Sequence, residues 1–93
     1  KPATENTTMN IKAIVIEGSN GDVEIARTGS GAHAVRDHAV LADFPRDESR
    51  EARYEKARQV AGFVYGTDRQ GRPAATNSMV HEVLDAIERV AGC

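Results

Sequence analysis

The sequence predicts a small α+β domain, an N-terminal antiparallel β-hairpin followed by two or three helices packed on one face of the sheet. Three observations carry this expectation. Residues 11–28 hold two β-branched, alternating runs on either side of Asn20-Gly21. Residues 47–62 and 77–91 repeat apolar side chains at helical spacing. The chain has 93 residues, 40% hydrophobic and 28% charged, which describes one ordered domain near the lower size limit for folding without metal or disulfide help.

In the hairpin, Asn20-Gly21 tolerates the positive φ angles of a type I′ turn. With that pair at the tip, Ile16 faces Ile25 and Gly18 faces Val23. Ile14, Ile16, Val23 and Ile25 then share one face, because side chains alternate across a strand. The same register sets Glu17 opposite Glu24, a like-charge pair. A three-residue turn ending on Gly21 avoids that contact but pairs Ile16 with Glu24, so the first register is preferred. A two-stranded ribbon is marginal in water and has two unpaired edges, each able to accept a foreign strand.

Residues 1–9 are polar, aperiodic and contain Pro2. They read as a flexible lead-in, with Met9 as a candidate start and residues 10–93 as the single compact domain. Asn6-Thr7-Thr8 matches a glycosylation triplet that is frequent by chance. After the hairpin, Ser30 can cap a helix over 32–42 with Ala34, Val35, His38, Leu41 and Ala42 on its inner face. Alternatively, residues 38–44 form a third strand along the hairpin. Pro45 marks a break either way.

The next helix spans 47–62, with Pro45, Asp47 and Glu48 suited to its first turn. Ala57, Val60, Ala61 and Val64 form its stripe, extended by Arg53 or Tyr54. Phe63-Val64-Tyr65 either finishes this helix or begins an extended segment. Residues 67–76, with Gly71 and Pro73, read as an exposed loop. The last helix spans 77–91, capped by Asn77 or Ser78 and ended by Gly92. Met79, Val80, Val83, Leu84, Ile87, Val90 and Ala91 give it a broad apolar face. Phe44, Tyr54, Phe63 and Tyr65 are the only aromatic residues, so the expected core is aliphatic.

Chemistry-bearing patterns are sparse. His81-Glu82-Val83-Leu84-Asp85 shares half the spacing in which two histidines four apart bind metal beside a general base, but Asp85 stands at the second ligand position. A surface ion pair, with Asp85 continuing to Arg89, is the simpler reading. His33 and His38 are five apart and do not align on one helix face. Gly29-Ser30-Gly31 before a helix can cradle an anion, with Arg27 or Arg36 adding charge, yet it lacks the phosphate-loop spacing and lysine. No serine sits on a nucleophile elbow. No metal site and no cofactor are expected. Cys93 is the sole cysteine, so an internal disulfide is impossible and a reducing, cytoplasmic setting is expected. No stretch is long or apolar enough to span a bilayer.

The net charge of −2 dictates no partner. Residues 44–72 carry seven basic against five acidic side chains, and the remainder five against nine. The expected function is that of a non-enzymatic protein-binding module of the inhibitor, immunity or adaptor type, resembling small phage- or plasmid-borne inhibitors only by analogy. It would bind a protein partner, or a second copy, along the hairpin edge. Glu17, Asp22, Glu24, Arg50, Arg53, Arg69 and Arg72 are the candidate contact residues. The first alternative is nucleic-acid binding through Arg46, Arg50, Arg53, Lys56, Arg69 and Arg72, against which interleaved acids and scarce aromatics count. The second is a metal-dependent or acid/base enzyme using His81, Glu82 and Asp85.

Overall fold

A computed structural model describes residues 11–92. The chain order is β1 (Ala13–Ile16), β2 (Val23–Arg27), β3 (Gly31–Arg36), β4 (Ala39–Pro45), α1 (Arg50–Tyr65) and α2 (Asn77–Ala91). The strands form one antiparallel sheet in the order β1-β2-β3-β4. The architecture is therefore α+β with two helices, as expected, but the sheet has four strands where a hairpin, with at most a third strand, is predicted. The expected lead-in over 1–9 and the terminal Cys93 lie outside the described residues.

Helix α2 packs across all four strands, while α1 packs on α2, β2 and β4. Between the layers lie Val23, Ile25, Ala32, Ala34 and Phe44 from the sheet, Ala57, Val60, Ala61 and Val64 from α1, and Val80, Val83, Leu84, Ala86, Ile87, Val90 and Ala91 from α2. The core is aliphatic apart from Phe44, as the composition implied. The predicted stripes hold, except that Met79 is exposed and Ala86 is buried in its place.

The hairpin differs from expectation in register. Ile16 pairs with Val23 and Ile14 with Ile25, a slip of two residues from the predicted pairing. An even slip leaves every side chain on its face, so Ile14, Ile16, Val23 and Ile25 still share the core side. Glu24 now lies opposite Val15, and the Glu17–Glu24 clash disappears. Residues 17–22 form a longer connection because the loop docks on α1: the Asn20 amide N–H donates to the Val64 carbonyl at 2.8 Å. Gly18 sits so close that a Cβ would lie 2.3 Å from Val64 Cγ1.

The expected helix over 32–42 is overturned. Residues 31–45 form a second hairpin, β3–β4, turning at Asp37-His38 with φ of 52° and 69°, the left-handed pair a type I′ turn requires. The alternative strand at 38–44 is close to β4, but β4 pairs with β3, and it is β3 that covers β2. Ala32 and Ala34 favour helix locally. In the fold their small side chains lie fully buried on the sheet face that α2 covers, and this packing overrides propensity.

Helix starts also shift. Helix α1 begins at Arg50 rather than Asp47, so Pro45, Asp47 and Glu48 lie before its first turn; Ser49 caps it, its Oγ accepting from the Ala52 N–H, and Phe63-Val64-Tyr65 completes it. Thr76, not Asn77 or Ser78, caps α2 by accepting from the Met79 N–H, and Gly92 ends it in the left-handed conformation.

Both helix C-termini are closed by arginines, Arg27 and Arg36 from the strands and Arg46 from just past β4. Arg36 Nη1 donates to the carbonyls of Asn20 and Phe63 at 2.9 and 3.0 Å. Arg27 Nε donates to the Val90 carbonyl at 2.9 Å, and Arg46 Nε to that of Ala91 at 2.6 Å. The Phe63, Val90 and Ala91 carbonyls are ones that the helices leave unpaired, and cations there meet the negative dipole end.

Candidate strand-pairing edge

A four-stranded meander has two outer edges, here β1 and β4. Edge β4 is obstructed. It carries a register shift opposite Ala34/Val35 and ends at Pro45. The outward Asp43 carbonyl is taken by Lys56 Nζ at 2.7 Å. Bulges, prolines and lysines are the usual devices that block strand addition.

Among the described residues, β1 carries neither a bulge nor a proline, and its nearest lysine is Lys12, just before the strand. The Arg27 N–H donates to the Lys12 carbonyl at 2.7 Å, which makes Lys12 and Arg27 a hydrogen-bonded pair. Alternation along an antiparallel ladder then turns the polar groups of Ile14 and Ile16 toward β2 and those of Ala13 and Val15 outward. Among the described residues no strand pairs with that outward side. Val15 is 56% exposed on the open face of the sheet, whereas Ile14 and Ile16 are half-buried against the helix layer.

Beside this edge runs a groove of about 370 Å³, walled by β1 and Glu17 on one side and by Tyr65, Glu82, Asp85, Ala86 and Arg89 on the other. Its lining mixes the apolar Ile14, Val15, Ile16 and Ala86 with three carboxylates. Glu17, Glu82 and Asp85 are exposed, and the one cation is Arg89, whose Nη1 lies 3.8 Å from Asp85 Oδ2. Burial, and secondarily the Glu82 carboxylate, raise the Tyr65 phenol above its ordinary value, so it stays a neutral donor throughout the physiological range.

The structure brings some of the predicted contact residues together and leaves others elsewhere. Glu17 lines the groove. Asp22 and Glu24 border a shallow hollow on the open sheet face with Val15, Val35 and the Asp37-His38 turn. Arg50 is exposed but bonded to Glu88 at 3.0 Å. Arg53 is only 7% exposed and joins the helices through Glu88. Arg69 and Arg72 are exposed on the 67–73 loop, where Arg72 Nε lies 3.4 Å from Asp68 Oδ2. Tyr65, Ala86 and Arg89 were not foreseen at the edge. Only the spacing of Asp85 and Arg89 hinted at the last of these.

The remaining patterns have local explanations. His81 turns to the Tyr54 ring, 5.5 Å between centroids, while Glu82 and Asp85 face the groove, so the three do not converge on one point. No group of three or more potential metal ligands occurs among the described residues. Gly29-Ser30-Gly31 precedes a strand, not a helix, and the Gly31 N–H is engaged by Thr28 Oγ1 at 3.0 Å. It therefore offers no helix-terminal anion cradle. An open cavity of about 820 Å³ lies between the end of α1, Asn20 and the 67–73 loop. Of its polar groups, Asn20 Nδ2 is engaged by the Phe63 carbonyl, and Arg58 lies 3.7 Å from Glu55. No helix among the described residues is long and apolar enough to cross a membrane.

Comparison of the chain with protein-family models, curated proteins and solved structures gave no match.

Proposed function

We propose that this chain is a non-enzymatic protein-binding module, of the inhibitor, immunity or adaptor kind, that takes an extended segment of a partner or of a second copy as an added strand on β1. The observation that carries this is the contrast between the two edges of one sheet. Edge β4 is bulged and lysine-covered, whereas β1 presents the backbone of Ala13 and Val15 beside a groove lined by apolar and acidic side chains. Main-chain hydrogen bonds along such an edge give affinity, and the pockets beside it give selectivity. Glu17 lies at the contact, with Asp22 and Glu24 at its rim.

Nucleic-acid binding draws less support from the same structure. Of its expected contacts, Arg46, Arg50, Arg53, Lys56 and Arg72 all hold internal partners.

The test is Val15→Pro. Proline on an edge strand removes an outward N–H without breaking a ladder bond, so the circular dichroism spectrum should be retained. Self-association measured by light scattering, and recovery of a partner from the native cell, should be lost. A wild-type chain that stays monomeric and recovers no partner, or a proline variant that binds as well as wild type, would refute the proposal.

A further inference from the structure

The polarity of the β1 edge identifies its occupant. The acidic side chains of the groove cluster around the C-terminal half of the strand, where Ile14, Val15, Ile16 and Glu17 meet Glu82 and Asp85. The N-terminal end carries Lys12. Alternation places Lys12 on the same side as Ile14 and Ile16, the side that faces the groove. Lys12 is exposed, and it has no ion pair among the described residues. Its cross-strand neighbour is Arg27, a like charge that disfavours folding the ammonium back over the sheet. One end of the strand is thus an unpaired cation, and the other an acidic groove with a surplus of carboxylates.

Antiparallel pairing of two identical strands brings those opposite ends together twice. We infer that the segment added to β1 is β1 of a second copy, paired antiparallel about a two-fold axis at Ile14, with Lys12 of each copy entering the acidic groove of the other. This rests on the strand-addition reading above and names its partner. The outward groups of Ala13 and Val15 fix the register. Centring the axis on Ile14 sets Ala13 opposite Val15 of the other copy, which makes hydrogen-bonded pairs on both sides of the axis. Lys12 then falls opposite Ile16, beside Glu82 and Asp85. The two half-buried Ile14 side chains meet at the axis, in a non-hydrogen-bonded position where side chains approach most closely. The interface is isologous and closes on itself, and it joins the two sheets into one of eight strands without exposing another β1 edge.

The experiment uses charge swapping in the intact chain, with mass in solution as the readout and 10.0 kDa as the monomer. Lys12→Glu places acid against acid at both contacts. Glu82→Lys with Asp85→Lys places base against base. Each variant alone should dimerise at least tenfold more weakly than wild type. An equimolar mixture of the two should recover the dimer, because every contact in the mixed pair is again of opposite sign. All three substitutions are at exposed positions, so folding is checked simply by circular dichroism. Amide exchange at Ala13 and Val15 should be slow in the wild-type dimer and fast in either variant.

A wild-type monomer at millimolar concentration would overturn the second copy as occupant, and the Val15→Pro test on a recovered partner would still decide strand addition separately. A wild-type dimer with fast-exchanging Ala13 and Val15 amides would put the contact elsewhere and overturn the pairing of β1 with a second copy. Slow amides with no effect of charge reversal, or a mixture that fails to recover the dimer, would overturn the register.

Discussion

Arg53 and Glu88 join the two helices through an ion pair inside the molecule, Nη1 to Oε2 at 2.5 Å. Arg53 Nη2 also donates to the Glu48 carbonyl at 2.9 Å, so the guanidinium ties the start of α1 to the end of α2. Its Nε is buried without a partner. The arrangement leaves the arginine dependent on one carboxylate.

Removing that carboxylate should therefore be costly. Glu88→Ala strands a buried guanidinium and is expected to destabilise the fold by about 3 kcal/mol. Arg50→Ala removes only an exposed partner of the same carboxylate and should cost about 0–1 kcal/mol. Urea denaturation of the two variants checks the ranking, and equal effects would contradict the interior placement of Arg53.

Gly18 and Gly29 make a matched pair. A Cβ on Gly18 would meet Val64 Cγ1 at 2.3 Å and the Val64 carbonyl oxygen at 2.4 Å, whereas one on Gly29 meets nothing within 4 Å. Gly18→Ala should lose about 1–3 kcal/mol through overpacking. Gly29→Ala should be neutral, or gain about 0.5 kcal/mol from a stiffer unfolded chain. Thermal melts distinguish them, and a tolerant Gly18 would mean that the 17–22 loop does not dock on α1.

Leu84 and Ile87 lie fully inside, between α2 and the sheet. Truncating either to Ala should cost on the order of 2–5 kcal/mol, a large share of the stability of so small a domain. An unchanged melting curve for Leu84→Ala would refute this core.

The 67–73 loop should respond to acid. The Arg72 and Gln70 backbone N–H groups both donate to Asp68 Oδ1 at 2.9 Å. The Arg72 amide first, then the Gln70 amide and the Arg72 guanidinium, lower the Asp68 carboxyl below its ordinary 3.8. A depressed carboxylate stabilises the folded loop above its unfolded value, and that contribution disappears as pH falls through the folded value. Amide shifts of Gln70 and Arg72 should therefore titrate together below pH 3.8, and Asp68→Ala should abolish the transition. A midpoint at or above 3.8 would contradict the hydrogen-bond pattern.

Much of this fold was legible in residue order, and the misses share a cause. Val23, Glu24 and Ile25 alternate cleanly, and α2 repeats its apolar residues through Val90, so those elements follow from period alone. Ala32 and Ala34 are different, because alanine carries little β preference and only close packing beneath a helix explains a strand there. Asp37-His38 lacks the glycine that usually signals a type I′ turn, while Asn20-Gly21, which has it, lies in a loop shaped by docking on Val64. The acidic groove was half visible. Glu17 stood out beside a strand, but its meeting with Tyr65, Glu82 and Arg89 is a product of tertiary packing that no local pattern encodes.

The arginine closures of the two helix ends have a consequence for how the molecule opens. The last turns of α1 and α2 cannot fray singly, since Arg36, Arg27 and Arg46 hold their carbonyls from the sheet side. Unlatching either end detaches backbone on both layers at once. In native-state hydrogen exchange these turns should behave with the strands as one cooperative unit, and the quiet ends of the helices would be those farthest along the chain from their caps.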